Sequence, residues 1–295
     1  MADGAEISGA GLMKGKRGVV MGIANDHSIA WGIARQLHAE GAELGLTFQN
    51  DQFGKRVRPL AAQVDATFLE RCDVEDLATV DALFEAAAGH WGSIDFFVHA
   101  VAFSDRNELK GRYADTTREN FSRTMVISCF SFTEAAKRAA ALMTNGGAML
   151  TLTYGGAVKV MPNYNVMGVA KAALESSVRY LASDYGSAGV RVNAISAGPI
   201  RTLAGAGVTD ARLMFNYQRK HSPLGRTVTI EEIGRVGAYL LSDYSSGVTG
   251  EIHYVDSGYN TVSMPKLDEL RAEERREIIE EKVAEEAPTI LAERP

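Results

Sequence analysis

Two tyrosines and a lysine, Tyr154, Tyr164 and Lys171, have the types and spacing that hydride chemistry requires in this 295-residue chain. If a helix begins near Tyr164, then Tyr164, Gly168 and Lys171 lie on one face of it, with a gap over the glycine. The ammonium could bind the ribose hydroxyls of a nicotinamide nucleotide, and its charge would lower the pKa of the phenol. The phenol of Tyr164 could hydrogen-bond a carbonyl whose oxygen becomes negative in the transition state. The pattern therefore predicts a hydride-transfer site.

The loop that opens at Gly22 has features of a pyrophosphate-binding turn. Gly22 lacks a side chain, so the backbone could approach phosphates closely, and Ser28 could donate a hydrogen bond to them. A helix that begins near Ser28 would add its free N–H groups and its dipole. The loop departs from the G-x-G-x-x-G spacing, and taken alone it fits an ordinary strand-turn-helix equally well.

The ends of the second and third predicted strands contain candidates for contact with the adenosine of a dinucleotide. Gln49 occupies the place where many dinucleotide-binding folds have an acid for the ribose. No arginine or lysine stands directly beside it in sequence, since Lys55 and Arg56 lie further on, so NADH is favoured over NADPH. Asp73 could accept a hydrogen bond from the adenine amino group, or it could cap the next helix.

Small and apolar residues follow the fourth predicted strand, at the strand end where ligands lie in doubly wound sheets. Val101 and Ala102 could line the adenosine and ribose side, and Ser104 would lie nearer the substrate. The same residues would also suit the simple end of a strand, so this segment by itself leaves both interpretations open.

Short apolar runs rich in Val, Ile, Leu and Phe alternate with longer amphipathic segments, which is typical of βαβ units around a parallel sheet. Strands are predicted at 17–22, 43–48, 67–71, 94–100, 148–153, 191–196 and 252–255. Helices are predicted to begin near Ser28, Asp51, Leu77, Thr117, Tyr164 and Thr229. We therefore expect an α/β fold, a single Rossmann-type doubly wound parallel sheet of about seven strands with helices on both faces. One domain is expected over residues 1–264, and residues 265–295 are expected to be a charged C-terminal tail, either a marginal helix or disordered.

Composition limits the classes of function. The formal net charge of -6 disfavours nucleic acid as a partner, because neutralising phosphates requires a basic face. No segment is apolar and long enough to span a bilayer, and the start of the chain lacks the pattern of a secretory signal, so a cytoplasmic protein without a membrane partner is expected. Cys72 and Cys129 are then expected to be buried thiols rather than a disulfide. Six scattered histidines, with no His/Cys cluster, make a metal site unexpected.

A family resemblance follows from these motifs. Tyr154, Tyr164 and Lys171 stand ten and seven positions apart, without the Tyr-x-x-x-Lys pair, the T-G-x-x-x-G-x-G motif or the N-N-A-G motif of ordinary short-chain dehydrogenases. From about residue 14 to residue 264, the chain resembles the enoyl-[acyl-carrier-protein] reductase branch of that superfamily. The segments that carry the resemblance are 28–34 (S-I-A-W-G-I-A), 164–171, 191–203 (R-V-N-A-I-S-A-G-P-I-R-T-L) and 226–230.

The resemblance implies an NADH-dependent enzyme that reduces the C2–C3 double bond of a trans-2-enoyl thioester on acyl carrier protein, usually as a homotetramer. It implies that Tyr154, Tyr164 and Lys171 are the active-site residues and that Ser104 lies at the substrate position. Tyr154 could contact the substrate or take part in proton delivery. The residues implied to contact NADH are Gly22, Ser28, Ile29, Gln49, Asp73, Val74, Val101, Lys171, Ile200, Arg201, Thr202, Leu203 and Ala204.

Two alternative functions stay open. A reductase of 3-ketoacyl thioesters or other ketones would use the same cofactor site, although the missing Tyr-x-x-x-Lys pair and the presence of Tyr154 argue against it. A catalytically silent NAD-binding protein would have no need of all three active-site residues together.

Two features beyond the active-site residues bear on the substrate. An acidic carrier protein would need a local basic patch, for which the candidates are Arg212, Arg219, Lys220 and Arg226. The small-residue run at 204–207 would permit a mobile lid over an acyl chain, because glycine is conformationally free.

Overall fold

A seven-stranded parallel sheet organises this chain, whose computed structural model describes residues 10–200, 202 and 211–292. The strands are β1 (Arg17–Met21), β2 (Glu43–Phe48), β3 (Phe68–Arg71), β4 (Phe96–His99), β5 (Gly147–Thr153), β6 (Val190–Ala197) and β7 (Ile252–Val255). Their order across the sheet is β3-β2-β1-β4-β5-β6-β7. The expected α/β doubly wound sheet is confirmed, and every predicted strand end lies within two residues of the observed one.

Helices cover both faces of the sheet. They are α1 (Ile29–Ala39), α2 (Asp51–Gln63), α3 (Leu77–Trp91), α4 (Arg118–Met125), α5 (Ser131–Leu142), α6 (Asn165–Gly186), α7 (Ala211–His221), α8 (Ile230–Leu241) and α9 (Leu267–Ala292). A π-helical turn over Val126–Phe130 joins α4 to α5. Each predicted helix start lies within one residue of an observed start, whereas the sequence predicts no separate starts for α5 and α7.

The sheet is buried on both sides, because successive residues of a strand point to opposite faces. In β1, Val19 and Met21 face the core that contains residues of α3, α5 and α6, whereas Val20 faces the core that contains residues of α1, α2 and α8. All three side chains are at most 1% exposed. Burial on both faces explains why the strands are apolar throughout and do not alternate with polar residues.

The strand order reverses at β1, because the chain moves outwards from β1 to β3 and then returns to the other side of β1 as β4. In doubly wound sheets, the crevice at the carboxyl ends of these two strands is the usual place for a ligand. Gly22 follows β1 there with a φ of +98°, and a Cβ atom on it would lie 2.1 Å from the carbonyl oxygen of Ala100. Only glycine permits this close approach of the two strand ends.

The C-terminal segment forms helix α9, whose first turn contacts α7. Glu269 Oε2 lies 3.0 Å from His221 Nδ1 and 3.5 Å from Lys220 Nζ. Most of the described side chains further along α9 are exposed. The division into a domain over residues 1–264 and a separate tail over residues 265–295 stays a prediction.

Cys72 and Cys129 are both buried free thiols, as the sequence predicts. Burial raises the pKa of the Cys72 thiol to about 12, so it stays protonated and unreactive at neutral pH. Within the ranges that the structure describes, no helix has both the length and the apolar character that crossing a membrane requires.

Candidate active site

Tyr154 and Tyr164 form the centre of the candidate active site. Tyr154 directly follows β5, and Tyr164 is the N-cap residue of α6. Their rings meet edge to face, with centroids 5.1 Å apart and planes at 72°, an arrangement that aromatic pairs favour. A Cβ atom on Gly156 would lie 2.5 Å from Cδ1 of Tyr164. The loop after β5 therefore requires glycine at position 156 to bring the two phenols together.

The helix face that contains Tyr164, Gly168 and Lys171 is the predicted one, but the predicted gap over the glycine is filled. A Cβ atom on Gly168 would lie 2.8 Å from the carbonyl oxygen of Gly156 and 3.6 Å from the Tyr164 ring. The expectation of an open space there is wrong, because the loop after β5 packs directly onto α6. Gly168 thus serves the packing of this loop.

Lys171 is buried on α6, with 6% of its surface exposed. Its Nζ donates a hydrogen bond to the carbonyl oxygen of Leu152 in β5 at 2.8 Å, and an ammonium has two further hydrogens to donate. Burial lowers the pKa of Lys171 to about 8, although the nearby acid Glu175 raises it. Glu175 lies one turn further along α6, is itself buried and accepts a hydrogen bond from Thr153 Oγ1 at 2.7 Å.

The tyrosine pKa values move in the direction opposite to the expected one. Burial raises the pKa of Tyr164 well above its usual range, and the charges of Tyr154 and Glu175 raise it further. The expected lowering of this pKa is wrong, because removing a phenolate from water is costly and burial therefore dominates the shift. Tyr164 therefore stays protonated at neutral pH and can donate a hydrogen bond.

Gln218 of α7 reaches the other phenol. Its Nε2 donates a hydrogen bond to the phenol oxygen of Tyr154 at 2.7 Å, and its side chain is 4% exposed. The two residues are 64 positions apart, so no local pattern in the sequence could have paired them. They share a small cavity, whose lining also includes Gly198, Asp256 and Tyr259.

The segment after β4 is fixed by α4 and the π-helical turn. The Phe103 N–H donates to Ser128 Oγ, and the Ser128 hydroxyl donates to the Phe103 carbonyl oxygen, each at 2.9 Å. Ser104 is 7% exposed and accepts a hydrogen bond from Thr124 Oγ1 at 2.9 Å. Ser104 also lines a cavity of about 440 Å³, together with Phe103, Asp105, Arg106, Asn107 and Lys110. Its placement next to the substrate stays a prediction.

Ser28 holds together the loop that follows β1. Its Oγ accepts hydrogen bonds from the N–H groups of Ala24 and Asn25 at 3.0 and 3.1 Å, and it donates to Asn25 Oδ1 at 3.2 Å. Helix α1 begins at Ile29, so its N-terminus lies beside the crevice and presents free N–H groups. Contacts of Gly22, Ser28 and Ile29 with a pyrophosphate stay predictions.

Gln49 and Asp73 meet beyond the ends of β2 and β3, and their contact with adenosine stays a prediction. Gln49 Nε2 donates a hydrogen bond to Asp73 Oδ2 at 3.4 Å. The alternative that Asp73 caps the next helix is wrong, since Asp76 is the N-cap residue of α3. Asp73 Oδ1 instead accepts from the Glu75 N–H within the preceding turn, at 3.1 Å.

Arg71 is a neighbour of Gln49 that strand pairing supplies and that the local sequence does not indicate. Parallel pairing of β2 with β3 places Arg71 opposite Phe48, and Arg71 Nε donates to the Gln49 carbonyl oxygen at 3.4 Å. The statement that no cation stands beside Gln49 therefore holds in the sequence but not in the fold.

The remaining predicted cofactor contacts lie at the edges of the two cores. Val74 is buried, and Val101 and Ile200 are partly buried against the cores. The Thr202 N–H donates to the Ile200 carbonyl oxygen at 2.8 Å. The other predicted contacts, together with the candidate lid at 204–207, lie outside the described residues; they are Arg201, Leu203 and Ala204.

The four candidates for a basic patch divide into two kinds. Arg226 makes a two-pronged ion pair with Glu232, at 2.8 and 2.6 Å, and Lys220 faces Glu269. Arg212 and Arg219 are exposed on α7. A carboxylate therefore already faces two of the four cations.

Comparisons with known proteins agree on one family. Residues 22–260 match the family described as enoyl-(acyl carrier protein) reductase. A relative named enoyl-[acyl-carrier-protein] reductase [NADH] 2, from Rhizobium meliloti, is 71% identical over 261 residues, which are 88% of this chain and 97% of the relative. The crystal structure of FabI from Candidatus Liberibacter asiaticus has a TM-score of 0.85 and 58% identity, and covers 86% of this chain and 99% of its own. The reductase from Anaplasma phagocytophilum in complex with NAD has a TM-score of 0.86 and 53% identity, with 89% and 100% covered.

Proposed function

This chain belongs to the enoyl-(acyl carrier protein) reductase family, and from that premise we propose that Tyr154, Tyr164 and Lys171 carry its reaction. The chain is an NADH-dependent oxidoreductase of fatty-acid synthesis that reduces the double bond of an enoyl thioester. The observation that supports the residue assignment is the cluster itself. Tyr154, which follows β5, packs edge to face on Tyr164, and Tyr164 lies at the N-cap of the helix α6 that contains the buried Lys171.

Tyr164 donates a hydrogen bond to the thioester oxygen of the substrate in this proposal. During reduction, the electron pair of the C2–C3 double bond moves towards that oxygen, which gains negative charge. A donor held in place by packing stabilises this charge by about 3 kcal/mol. Tyr164 fits the role because burial raises its pKa and so keeps the proton on the phenol at neutral pH.

When NADH is bound, it would supply the hydride that adds to C3 of the substrate. The crevice between β1 and β4 suits a dinucleotide, since Gly22 brings the two strand ends together and the N-terminus of α1 lies beside them. Gln49 and Asp73 would hold the adenosine, and Val101 would line the floor. Ile200 and Thr202, which follow β6, would contact the nicotinamide end of the cofactor.

Lys171 binds the ribose next to the nicotinamide in this proposal. One of its three hydrogens is fixed on the Leu152 carbonyl oxygen, which orients the other two. Its buried charge would then act at short range on ligands in the crevice, because screening by water is weak there.

Turnover of two thioesters tests this function. NADH oxidation should proceed with a crotonyl thioester, which contains the C2–C3 double bond, and should be slow with an acetoacetyl thioester, which contains a ketone. Turnover of the acetoacetyl thioester alone would assign a ketone reductase, and turnover of neither would assign a silent NAD-binding protein. Absorbance at the NADH band reports both reactions under the same conditions.

We further propose that the substrate arrives on acyl carrier protein and that the enzyme is a cytoplasmic homotetramer. Exposed large apolar side chains support an assembly, with Val126 at 42%, Phe130 at 52% and Tyr180 at 73% exposure. The buried free thiols suit a reducing compartment. Light scattering on the purified protein should give the mass of four chains, and a monomer mass would contradict this part of the proposal.

A further inference from the structure

Gln218 is a buried polar residue in a part of helix α7 that is otherwise largely exposed. It is 4% exposed, whereas its neighbours Tyr217, Arg219 and Lys220 are exposed. Burying an amide is costly unless its hydrogen bonds are made. The hydrogen bond from Gln218 Nε2 to the phenol oxygen of Tyr154, at 2.7 Å, therefore gives this side chain a reason to be inside.

The direction of this hydrogen bond determines what the phenol can do. A phenol oxygen can accept, and its single hydrogen can donate, whereas an amide N–H can only donate. The oxygen of Tyr154 is thus the acceptor in its contact with Gln218, and the phenol hydrogen is not used there. The Tyr154 ring is held at the same time by its edge-to-face contact with Tyr164. Both the ring and the oxygen of Tyr154 have fixed positions.

We propose that Gln218 is a positioning residue that holds the phenol oxygen of Tyr154 and thereby leaves the phenol hydrogen directed towards the substrate, as the proton for C2. This inference rests on the proposed function, because it assigns the second half of the same reduction. It also separates the two tyrosines. Tyr164 stabilises the charge on the thioester oxygen, and Tyr154 delivers the proton.

Proton transfer from Tyr154 to C2 completes the reduction. Addition of hydride to C3 leaves an enolate, whose electron pair forms the new C2–H bond as the O–H bond of Tyr154 breaks. The phenolate that is left then takes a proton from water and returns to its starting state. The Gln218 N–H stabilises this phenolate, since a fixed donor aimed at a developing negative charge lowers the energy of the transition state.

The electrostatic surroundings explain why such a donor is needed. Burial raises the pKa of Tyr154, and the hydrogen bond from Gln218 acts against this shift. Tyr259 and Asp256 raise the pKa further, because a second negative charge beside them is unfavourable. Lys159, a cation that also lines this cavity, donates from its Nζ to the carbonyl oxygen of Asn260 at 2.9 Å.

Two substitutions at position 218 separate hydrogen-bond direction from packing. Gln218→Glu keeps the shape, but a carboxylate only accepts, so the phenol must turn its hydrogen towards it. Gln218→Met keeps the approximate volume and removes the hydrogen bond. With a crotonyl thioester, we expect kcat to fall about 100-fold for Gln218→Glu and about tenfold for Gln218→Met. The dissociation constant of NADH, measured by fluorescence titration, should stay within about twofold of the parent value, since Gln218 is not among the proposed NADH contacts.

The pH profile gives a signature that a purely structural role would not produce. When the introduced carboxyl of Gln218→Glu is protonated, it can again donate to the phenol oxygen. The kcat of this variant should therefore recover towards acid pH, while Gln218→Met shows no such recovery. The titratable groups that face this point are common to all the variants; they are Tyr154, Lys159, Tyr164, Tyr254, Asp256 and Tyr259.

A double-mutant cycle decides whether the effect acts through Tyr154. In a Tyr154→Phe background, substitutions at Gln218 should cost no further activity, because the hydroxyl that they act on is absent. Leu213→Gln, at a position on α7 that is 67% exposed, is the matched control and should behave like the parent. Melting temperatures of all variants show whether α7 still packs.

The outcomes separate the two proposals. The positioning role would be overturned if substitutions at Gln218 lowered kcat as much in the Tyr154→Phe background as in the parent. It would also be overturned if Gln218→Glu had the kcat of the parent at every pH. Either result would leave the enoyl reductase assignment in place. A parent protein without any turnover of the crotonyl thioester would overturn both.

Discussion

The two ends of the proposed cofactor crevice use polar contacts of similar kinds in very different surroundings. At the end proposed for adenosine, Gln49, Arg71 and Asp73 are joined by hydrogen bonds of 3.4 Å and lie near solvent. At the tyrosine end, Lys171 and Gln218 are almost fully buried and donate at 2.8 and 2.7 Å. The hydrogen-bonding groups are comparable, but water competes for them only at the adenosine end.

The difference in burial determines where the protein can shift the pKa values of its own groups. A charge in a low-dielectric site interacts more strongly and is more costly to form, so buried groups change their pKa values. Accordingly, the pKa of Lys171 falls to about 8 and that of Tyr164 rises, both mainly through burial. The adenosine end can recognise a ligand, whereas the tyrosine end can also stabilise a transition state.

Loss of the Tyr164 hydroxyl should have the largest effect. Tyr164→Phe removes a partly buried donor without changing the ring, so we expect kcat with a crotonyl thioester to fall about 100-fold. NADH affinity should stay within about twofold of the parent value, because the hydroxyl acts on the substrate. Steady-state kinetics and fluorescence titration measure the two quantities. An unchanged kcat would show that the tyrosine end does not carry the chemistry.

Raising the pH should weaken NADH binding through Lys171. Since burial lowers the pKa of Lys171 from its usual 10.5 to about 8, the ammonium is present below pH 8 and is lost as the pH rises through that value. If only the charged form binds, the dissociation constant of NADH should rise about tenfold between pH 7 and pH 9. Lys171→Met should bind weakly at both pH values and show a flat profile. If the dissociation constant of NADH for the parent were equally independent of pH, Lys171 would not be a cofactor-binding residue.

Substitution at the adenosine end should have the smallest effect. Arg71→Gln removes an exposed cation with one long hydrogen bond, so NADH affinity should change by no more than about twofold. Inhibition by 2′,5′-ADP should weaken more than inhibition by 5′-ADP, because only the former has the phosphate that a guanidinium beside Gln49 would attract. Lys55→Gln, on the exposed side of α2, is the matched control. If Arg71→Gln weakened NADH binding as much as Lys171→Met does, solvent exposure would not explain the different contributions of the two ends.

Much of the fold could be predicted because its signals are local. The apolar runs of β1 to β7 and the amphipathic segments between them follow from burial of both sheet faces, so the strand and helix starts agree with the structure within two residues. The start of α6 near Tyr164 also placed Tyr164 and Lys171 on one face, since helical spacing alone determines which residues share a face. Glu175, four residues after Lys171, could have been found by the same rule.

Tertiary structure alone decided the rest of the site. Strand pairing brought Arg71 beside Gln49, and the packing of α7 brought Gln218 to Tyr154 across 64 positions of sequence. The direction of the Tyr164 pKa shift was predicted wrongly because a sequence shows a nearby lysine but not the depth of burial. The sequence by itself determined the residue types, their local periodicity and the family. Distances between remote segments and the exclusion of water depend on how the elements pack, and these decided which groups meet and how strongly they act.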